Sequence, residues 1–193
     1  MQIKALNSDI DLIAAVQQGQ QQAFRLLVER YESQVAATVI SMLGAGQEAE
    51  DVGQEVFIRF YRSLDQFQAK AALGTYLTRI AINLSLNALK KQQRKGNVMR
   101  LDNQETGGVR QIPDPGASQE ARDTRDYVQY ALQQLEPDFR SVVVLRMVKG
   151  YSTKETANML NLPQGTVLSR LARGQKKLKE ILIRLDPKLK KDE

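Results

Sequence analysis

Cationic and hydroxyl side chains recur along one side of a predicted helix near the end of this sequence. At about 100° per residue, residues 164–178 collect these groups on one face: Thr166, Ser169, Arg170, Arg173, Lys176 and Lys177. The opposite face carries Val167, Leu171 and Leu178. Arg can donate two parallel hydrogen bonds to guanine, and both Arg and Lys bind phosphate. The pattern predicts a helix that lays its polar face in the major groove of DNA; an ordinary solvated basic helix is the alternative.

A helix with that role needs a partner helix to set its angle, and the preceding residues supply one. Ser152 and Glu155 have the spacing of a capping box, which predicts a short helix ending near Leu160. The segment 161–163, Asn-Leu-Pro, predicts a tight turn. Ala157 is small enough to let two helices cross closely, and the wedge between them is predicted from Leu160, Leu162, Val167 and Leu171. Together these features predict a helix-turn-helix unit.

A second polar face lies earlier, on a helix predicted from Thr75 to Lys91 with its core stripe at Leu77, Ile80, Ala81, Leu84 and Ala88. Arg79, Asn83 and Lys90 share a neighbouring stripe, with Asn87 between that stripe and the core. Asn both donates and accepts hydrogen bonds, which suits recognition of base edges. From the residues alone, however, the preferred interpretation is that the two Asn side chains satisfy nearby backbone groups.

Acidic residues open another predicted helix, about 47–65: Glu48, Glu50, Asp51 and Glu55. Carboxylates in a first turn complement the helix dipole, which is the simplest account of them. A metal site is disfavoured because the sequence contains no His and no Cys to join the carboxylates. A surface for docking another protein stays open.

The composition disfavours catalysis and favours a polyanionic partner. Without His or Cys, the commonest general base and the thiolate nucleophile are both missing, so we expect neither an enzyme nor a bound cofactor. Residues 1–88 contain 7 Lys/Arg and 9 Asp/Glu, whereas residues 139–191 contain 13 Lys/Arg and 3 Asp/Glu. The basic block suits nucleic acid, although a solubilising basic tail would look the same. No apolar run approaches a membrane span, and no signal-peptide pattern opens the sequence, so we expect a soluble cytoplasmic protein.

The hydrophobic periodicity predicts an all-α protein of two small helical domains, each with its own core. Residues 92–117 contain Gly-Gly, two Pro and few apolar side chains, which is typical of a flexible linker. We therefore predict one domain over 1–91 and a second over 118–193. The second is predicted to contain helices over 118–135, 137–149, 152–160 and 164–185, with Pro137 in a first turn and Gly150 as a stop.

Four stretches resemble the extracytoplasmic-function (ECF) sigma factors of bacterial RNA polymerase. AEDVGQEVFIRFYRSLDQF and TYLTRIAINLSLNALK are similar to their second conserved region. LEPDFRSVVVLRMVKGYSTKETANMLNLPQGTVLSRLARGQKKL is similar to their fourth, and DIDLIAAVQQGQQQAFRLLVERY fits their first helices. The resemblance covers nearly the whole chain.

The resemblance implies a sigma2-like domain that reads and melts the promoter −10 element and a sigma4-like helix-turn-helix domain that binds the −35 element. It implies core RNA polymerase as partner, through its β′ clamp helices and β flap, and an anti-sigma factor as a further partner. Asp51, Gln54 and Glu55 match the positions that dock on β′. Asn83 matches an Asn that holds a flipped-out −10 base, preceded by a base-capturing loop over 68–74. The predicted −10 contacts are therefore Lys70, Arg79, Asn83, Asn87 and Lys90.

The sequence departs from the family pattern at several positions. Tyr76 stands where a Trp is usual, and Gly53 where a larger residue is common, which should weaken that helix. Leu168 and Ala172 replace longer contact residues of the recognition helix, so Ser169, Arg170 and Arg173 are the preferred −35 contacts.

Two other functions compete with that of a sigma factor. One is a stand-alone helix-turn-helix regulator that dimerises and binds operator DNA without polymerase, although no dimerisation or ligand module is evident in the sequence. The other is a metal-dependent nucleic-acid enzyme that uses the carboxylates of residues 48–55.

Overall fold

The computed structural model describes residues 8–67, 72–99 and 119–185, and the regular elements in these ranges are all helical. The α-helices are α1 (Asp9–Gln17), α2 (Gln21–Leu43), α3 (Gln47–Arg62), α4 (Leu73–Met99), α5 (Gln119–Gln133), α6 (Pro137–Val143), α7 (Thr153–Leu160) and α8 (Gln164–Leu185). A 3₁₀ turn, Leu64–Gln66, follows α3, and a π-helical segment, Val144–Val148, follows α6. The all-α fold predicted from the sequence is confirmed. Within these residues, no helix has the length and apolarity needed to cross a bilayer.

Local sequence features set several helix boundaries, and those at Pro137, Gly150 and Ser152 are as predicted. The Ser8 hydroxyl accepts a hydrogen bond from the Asp11 backbone N–H and caps α1. Ser152 and Glu155 form the complete capping box of α7, each side chain bonded to the other residue's backbone N–H. Pro137 occupies the first turn of α6. Gly150 adopts a φ of 73°, which ends the helical path before α7.

Three predicted helices differ from those observed, and the first of them, predicted over about 47–65, ends at Arg62 before a 3₁₀ turn. The helix predicted to end at Lys91 continues to Met99, and it begins at Leu73 rather than at Thr75. Residues 89–95, Leu-Lys-Lys-Gln-Gln-Arg-Lys, are all good helix formers, so nothing local stops the helix at the predicted start of the linker. The helix predicted over 137–149 changes to π geometry at Val144.

The N-terminal helices share one apolar core. Its largest fully buried members include Leu12, Leu27, Val56, Phe60 and Leu77, contributed by all four helices. Aromatic rings extend it: Phe60 lies 6.1 Å from Phe67 and 6.2 Å from Tyr76, centroid to centroid. This core fixes α3 against α4, the helix that carries Asn83.

The C-terminal helices also pack against the N-terminal ones, a contact that the sequence analysis did not predict. Met42 at the end of α2 and Ile82 on α4 are fully buried in a cluster formed mostly by residues of the C-terminal helices, such as Leu132, Val144 and Leu178. The domain boundaries placed at 91 and 118 remain predictions, because the residues 100–118 between them lie outside the described ranges.

Buried polar groups reinforce this contact. Arg140 is 5% exposed and donates to the Met42 carbonyl oxygen in the last turn of α2, as well as to the carbonyl oxygens of Gln133 and Leu135. Burial lowers the pKa of Arg140 to about 10, so the guanidinium remains protonated at neutral pH. The Tyr151 hydroxyl donates to Thr78 Oγ1 on α4 at 3.2 Å. The guanidinium of Arg140 therefore lies at the C-terminal end of α2, where the helix dipole favours a cation.

Candidate nucleic-acid interface

Helices α7 and α8 form the predicted helix-turn-helix. Asn161 takes the left-handed conformation, with a φ of 53°, directly after α7, and the Leu162 backbone N–H bonds back to the Ala157 carbonyl at 2.9 Å. The two helices are held by the predicted wedge, in which Ala157 and Val167 are buried and Leu160, Leu162 and Leu171 pack against them. Val142 of α6 completes this cluster, and the sequence analysis missed it. The arrangement fixes which side of α8 faces solvent.

The polar face of α8 is turned outward. Ser169, Arg173 and Lys176 are exposed, whereas Thr166, Arg170 and Lys177 are partly buried. The Ser169 hydroxyl donates to the Thr166 carbonyl oxygen at 3.0 Å. Leu168 is also exposed, at 54%, which places an apolar side chain beside the polar residues. All of the residues predicted to contact a −35 element therefore lie on one helix with solvent access.

Two cations of this face bind carboxylates at the start of α6. Arg170 Nη2 lies 2.6 Å from Asp138 Oδ2. Lys177 Nζ pairs with Glu136 Oε1 and lies 5.0 Å from the Phe139 ring centroid. The hydrogen bond from Lys177 lowers the pKa of Glu136, which keeps this carboxyl ionised at neutral pH. These ion pairs hold the side chains of Arg170 and Lys177 against the start of α6 in the absence of DNA.

The second polar face lies on α4, where Arg79, Asn83, Asn87 and Lys90 are all exposed. Asn83 lines an open cavity of about 370 Å³ between α3 and α4, and Asn87 does not. The predicted contact Lys70 lies outside the described residues. Exposure of both Asn side chains argues against the interpretation that they only satisfy backbone groups inside the fold.

The remaining walls of the cavity come from residues that the sequence analysis did not assign to a site: Arg59, Arg62, Ser63, Tyr76 and Ile80. Two of these, the Ser63 and Tyr76 hydroxyls, lie 3.0 Å apart and join the end of α3 to α4. The cavity combines two cationic groups, an aromatic ring and an amide. The spacing of Arg59 and Arg62 in the sequence places both on one side of α3. Only the packing of α3 on α4 brings them beside Asn83.

The acidic start of α3 forms a third exposed surface. Asp51 and Gln54 are exposed, and Glu55 is partly buried with an ion pair to Arg59 at 3.0 Å. Asp51 accepts a hydrogen bond from Gln47 at 2.9 Å. Among the described residues, no cluster of acidic side chains is arranged to hold a metal ion. Asp51 and Gln54 are accessible from solvent at the start of α3.

Comparison with known proteins identifies the family. The model of Sigma-70 region 2 matches residues 27–95, and that of Sigma-70 region 4 matches residues 125–178. The ECF RNA polymerase sigma-E factor of Escherichia coli K12 is 36% identical over 174 residues, which cover 87% of this chain and 91% of that protein. The chain belongs to the ECF sigma factors. The RNA polymerase sigma-H factor of Pseudomonas aeruginosa is 33% identical over 180 residues, covering 90% of this chain and 93% of that protein.

Solved structures agree with this fold. A sigma factor RpoE from Bartonella quintana, in complex with the anti-sigma factor NepR, matches with a TM-score of 0.67 at 23% identity, over 84% of this chain and 98% of that one. CnrH, in complex with the cytosolic domain of CnrY, matches with a TM-score of 0.61 at 26% identity, over 92% of this chain and 98% of that one.

The three exposed surfaces of this sigma factor lie within the two matched regions. The region 2 match contains the acidic surface of α3 and the Asn83 cavity, and the region 4 match contains the polar face of α8. The family assignment predicted from the sequence is confirmed, and the protein directs promoter-specific transcription. A stand-alone helix-turn-helix regulator is not favoured.

Proposed function

We propose that this sigma factor binds core RNA polymerase, reads the −35 element with α8 and opens DNA at the −10 element with the Asn83 cavity. Its own residues perform no chemistry, since nucleotidyl transfer belongs to polymerase, and it acts in the cytoplasm with that enzyme. The observation that carries the proposal is the presence of two separate exposed cationic surfaces, on α4 and on α8. A regulator that only docks on duplex DNA needs one reading helix, whereas promoter opening also needs a site for an unpaired base.

The α8 surface supports duplex recognition. Ser169, Arg170 and Arg173 lie within four residues of one another on the exposed side of the second helix of the unit, which is the helix that enters the major groove in such motifs. Lys176 and Lys177 follow one turn later and are better placed for phosphates. Thr166, at the start of α8, completes the proposed −35 contacts.

The α4 surface supports capture of a base. The cavity of about 370 Å³ is open to solvent, and Asn83 supplies a donor and an acceptor at its wall. Tyr76 offers a ring on which a base can stack, and Arg59 and Arg62 offer charges for the backbone of a single strand. Arg79, Asn87 and Lys90 extend the same face, and Lys70, which precedes α4 in the sequence, is a further proposed −10 contact.

Two protein partners follow from the remaining surfaces. Asp51, Gln54 and Glu55 are proposed to dock on the β′ clamp helices of polymerase, and the C-terminal domain on the β flap. An anti-sigma factor is proposed as the regulator, because the structurally similar CnrH is in complex with the cytosolic domain of CnrY, and the RpoE of Bartonella quintana with an anti-sigma factor.

Run-off transcription on genomic fragments tests the proposal. Core polymerase with this protein should produce specific starts that core polymerase alone does not. Binding of the isolated protein to the same fragments should be weak. Starts that do not depend on the added protein would show that the proposal is wrong, and tight specific binding without polymerase would favour a stand-alone regulator.

Asn83→Ala tests the role of the cavity, with Gln22→Ala as the control, because Gln22 is an exposed amide on α2 outside the cavity wall and outside the proposed contacts. If the lost contacts to an extruded base cost about 1.4 kcal/mol, promoter opening should fall about tenfold. Closed-complex binding should stay nearly unchanged. Opening is followed by permanganate footprinting and closed complexes by gel shift. An equal loss of opening and closed-complex binding would remove Asn83 from the proposed role.

A further inference from the structure

We propose that Asp138 is a specificity-determining residue of the −35 interface: its carboxylate holds the Arg170 guanidinium on α6, so that Arg170 reads a base edge instead of the nearest phosphate. This inference rests on the proposed function of α8. Asp138 lies outside the recognition helix and outside the residues that the sequence analysis assigned to DNA.

The four cations on the polar face of α8 divide into two classes. Arg170 forms an ion pair with Asp138, in which Nη2 lies 2.6 Å from Oδ2, and its side chain is only 26% exposed. Lys177 is bonded to Glu136 and lies over Phe139. Within the described part of the chain, Arg173 and Lys176 have no carboxylate partner, and both are exposed. The unpaired side chains can reorient when DNA binds, whereas the paired ones start from a fixed position.

The backbone that carries Asp138 is fixed in the domain, and its side chain is 52% exposed. Asp138 lies in the first turn of α6, one residue after Pro137 and two residues before the buried Arg140. Gly174 of α8 packs directly on α6, where an added Cβ would lie 2.7 Å from Val143 Cγ2. The carboxylate therefore moves with the body of the domain, and the position of Arg170 is defined relative to the whole helix-turn-helix.

The guanidinium chemistry leaves donors for DNA. Arg carries five N–H donors, and the contact with Asp138 involves one terminal nitrogen, Nη2. An Arg whose rotamer is already fixed loses less side-chain entropy when it binds a base. The same carboxylate offsets the attraction of Arg170 to phosphates, which are present at every sequence. Both effects increase the discrimination between DNA sequences rather than the overall affinity for DNA.

The simpler account is that Asp138 complements the dipole of α6 and pairs with Arg170 incidentally. Under that account Asp138→Asn changes stability slightly and changes DNA preference no more than a distant charge change does. Glu29→Gln is the matched control, because it also removes a carboxylate paired with an Arg, at 2.8 Å in the pair Arg25–Glu29, but on α2.

The experiment measures binding of the full chain to a random-sequence 30-base-pair duplex and to a duplex library with randomised central positions. Freeing Arg170 for one additional phosphate should make Asp138→Asn bind the random duplex about eightfold more tightly at 0.1 M salt, and steepen the salt dependence by about 0.9, the value for one phosphate. Library selection should show weaker enrichment at the positions read by Arg170. Asp138→Glu should restore both properties, and Glu29→Gln should change neither.

A double-mutant cycle with Arg170→Ala tests whether Asp138 acts through Arg170. If Asp138 acts through Arg170, Asp138→Asn has no further effect on affinity or enrichment in the Arg170→Ala background. Equal behaviour of Asp138→Asn and Glu29→Gln, or an undiminished effect in the Arg170→Ala background, would overturn the inference. Wild-type protein that neither enriches any sequence nor supports run-off transcription would instead mean that the proposed function had failed.

Discussion

Gly174 provides a stringent test of how α8 is seated. It is buried in the middle of α8, and a Cβ at this position would lie 2.7 Å from Val143 Cγ2 and 3.5 Å from Phe139 Cβ. Carbon atoms in contact ordinarily lie about 3.5–4.0 Å apart, so Val143 or the whole helix must move. Overpacking of this kind costs about 1–3 kcal/mol, while Ala in place of Gly stabilises a helix by about 1 kcal/mol. We therefore expect Gly174→Ala to destabilise the protein by about 1 kcal/mol.

Gly53 isolates the packing contribution. It lies inside α3, and a Cβ added there would have nothing within 4 Å, so Gly53→Ala should stabilise the protein by about 1 kcal/mol through helix propensity alone. The difference between the two variants then equals the overpacking penalty, about 1–3 kcal/mol. Gly165→Ala, also open on α8, controls for helix-specific effects. Urea unfolding followed by far-UV circular dichroism measures all three. If Gly174→Ala and Gly53→Ala shift the midpoint equally, the close packing of α8 on α6 is refuted.

Three further predictions concern stability and are measured by the same urea titrations. Arg140→Met should cost about 3 kcal/mol, because it leaves buried carbonyl oxygens without a donor; a change below about 1 kcal/mol would contradict the role given to this cation. Tyr31→Phe should cost about 1 kcal/mol through loss of the hydrogen bond to Asp9. Burial and that bond raise the pKa of Tyr31 to about 12, so this stabilisation should be complete below pH 10 and disappear as the pH rises towards 12. Ser152→Ala should cost about 1 kcal/mol by removing the α7 cap, whereas Glu155→Gln, which can still accept the reciprocal bond, should cost less.

The features that could be predicted from sequence are those set by residues close together in the chain. Ser152 and Glu155 specify a cap within four residues, and Gly150 specifies the left-handed turn before it. The side of α8 that faces solvent follows from the periodicity of Val167, Leu171 and Leu178. The helix α4 continues past its predicted end because residues 92–95 keep a high helix propensity despite the change in composition at Gln92.

The features that could not be predicted depend on tertiary packing. Nothing in the local pattern of α6 indicates that Arg140 reaches the end of α2, since its partners are backbone carbonyls whose position only the fold determines. The Asn83 cavity likewise needs α3 and α4 in contact before Arg59 and Arg62 become its walls. The pairing of Asp138 with Arg170 joins two helices separated by α7 in the chain. Each of these contacts modifies a predicted surface without changing the fold.

The packing of the two helical blocks has a consequence for promoter binding. A compact chain of this length has a radius of gyration of about 16 Å and hence a diameter of about 42 Å. Promoter elements about 17 base pairs apart are separated by about 58 Å at 3.4 Å per pair. Simultaneous contact of α8 with the −35 element and of the Asn83 cavity with the −10 element therefore requires the blocks to separate. Residues 100–118 reach at most about 65 Å when extended, which is enough for that separation. Separation exposes Met42, Ile82 and the guanidinium of Arg140 to water, so the polymerase contacts proposed for the two domains must offset that loss.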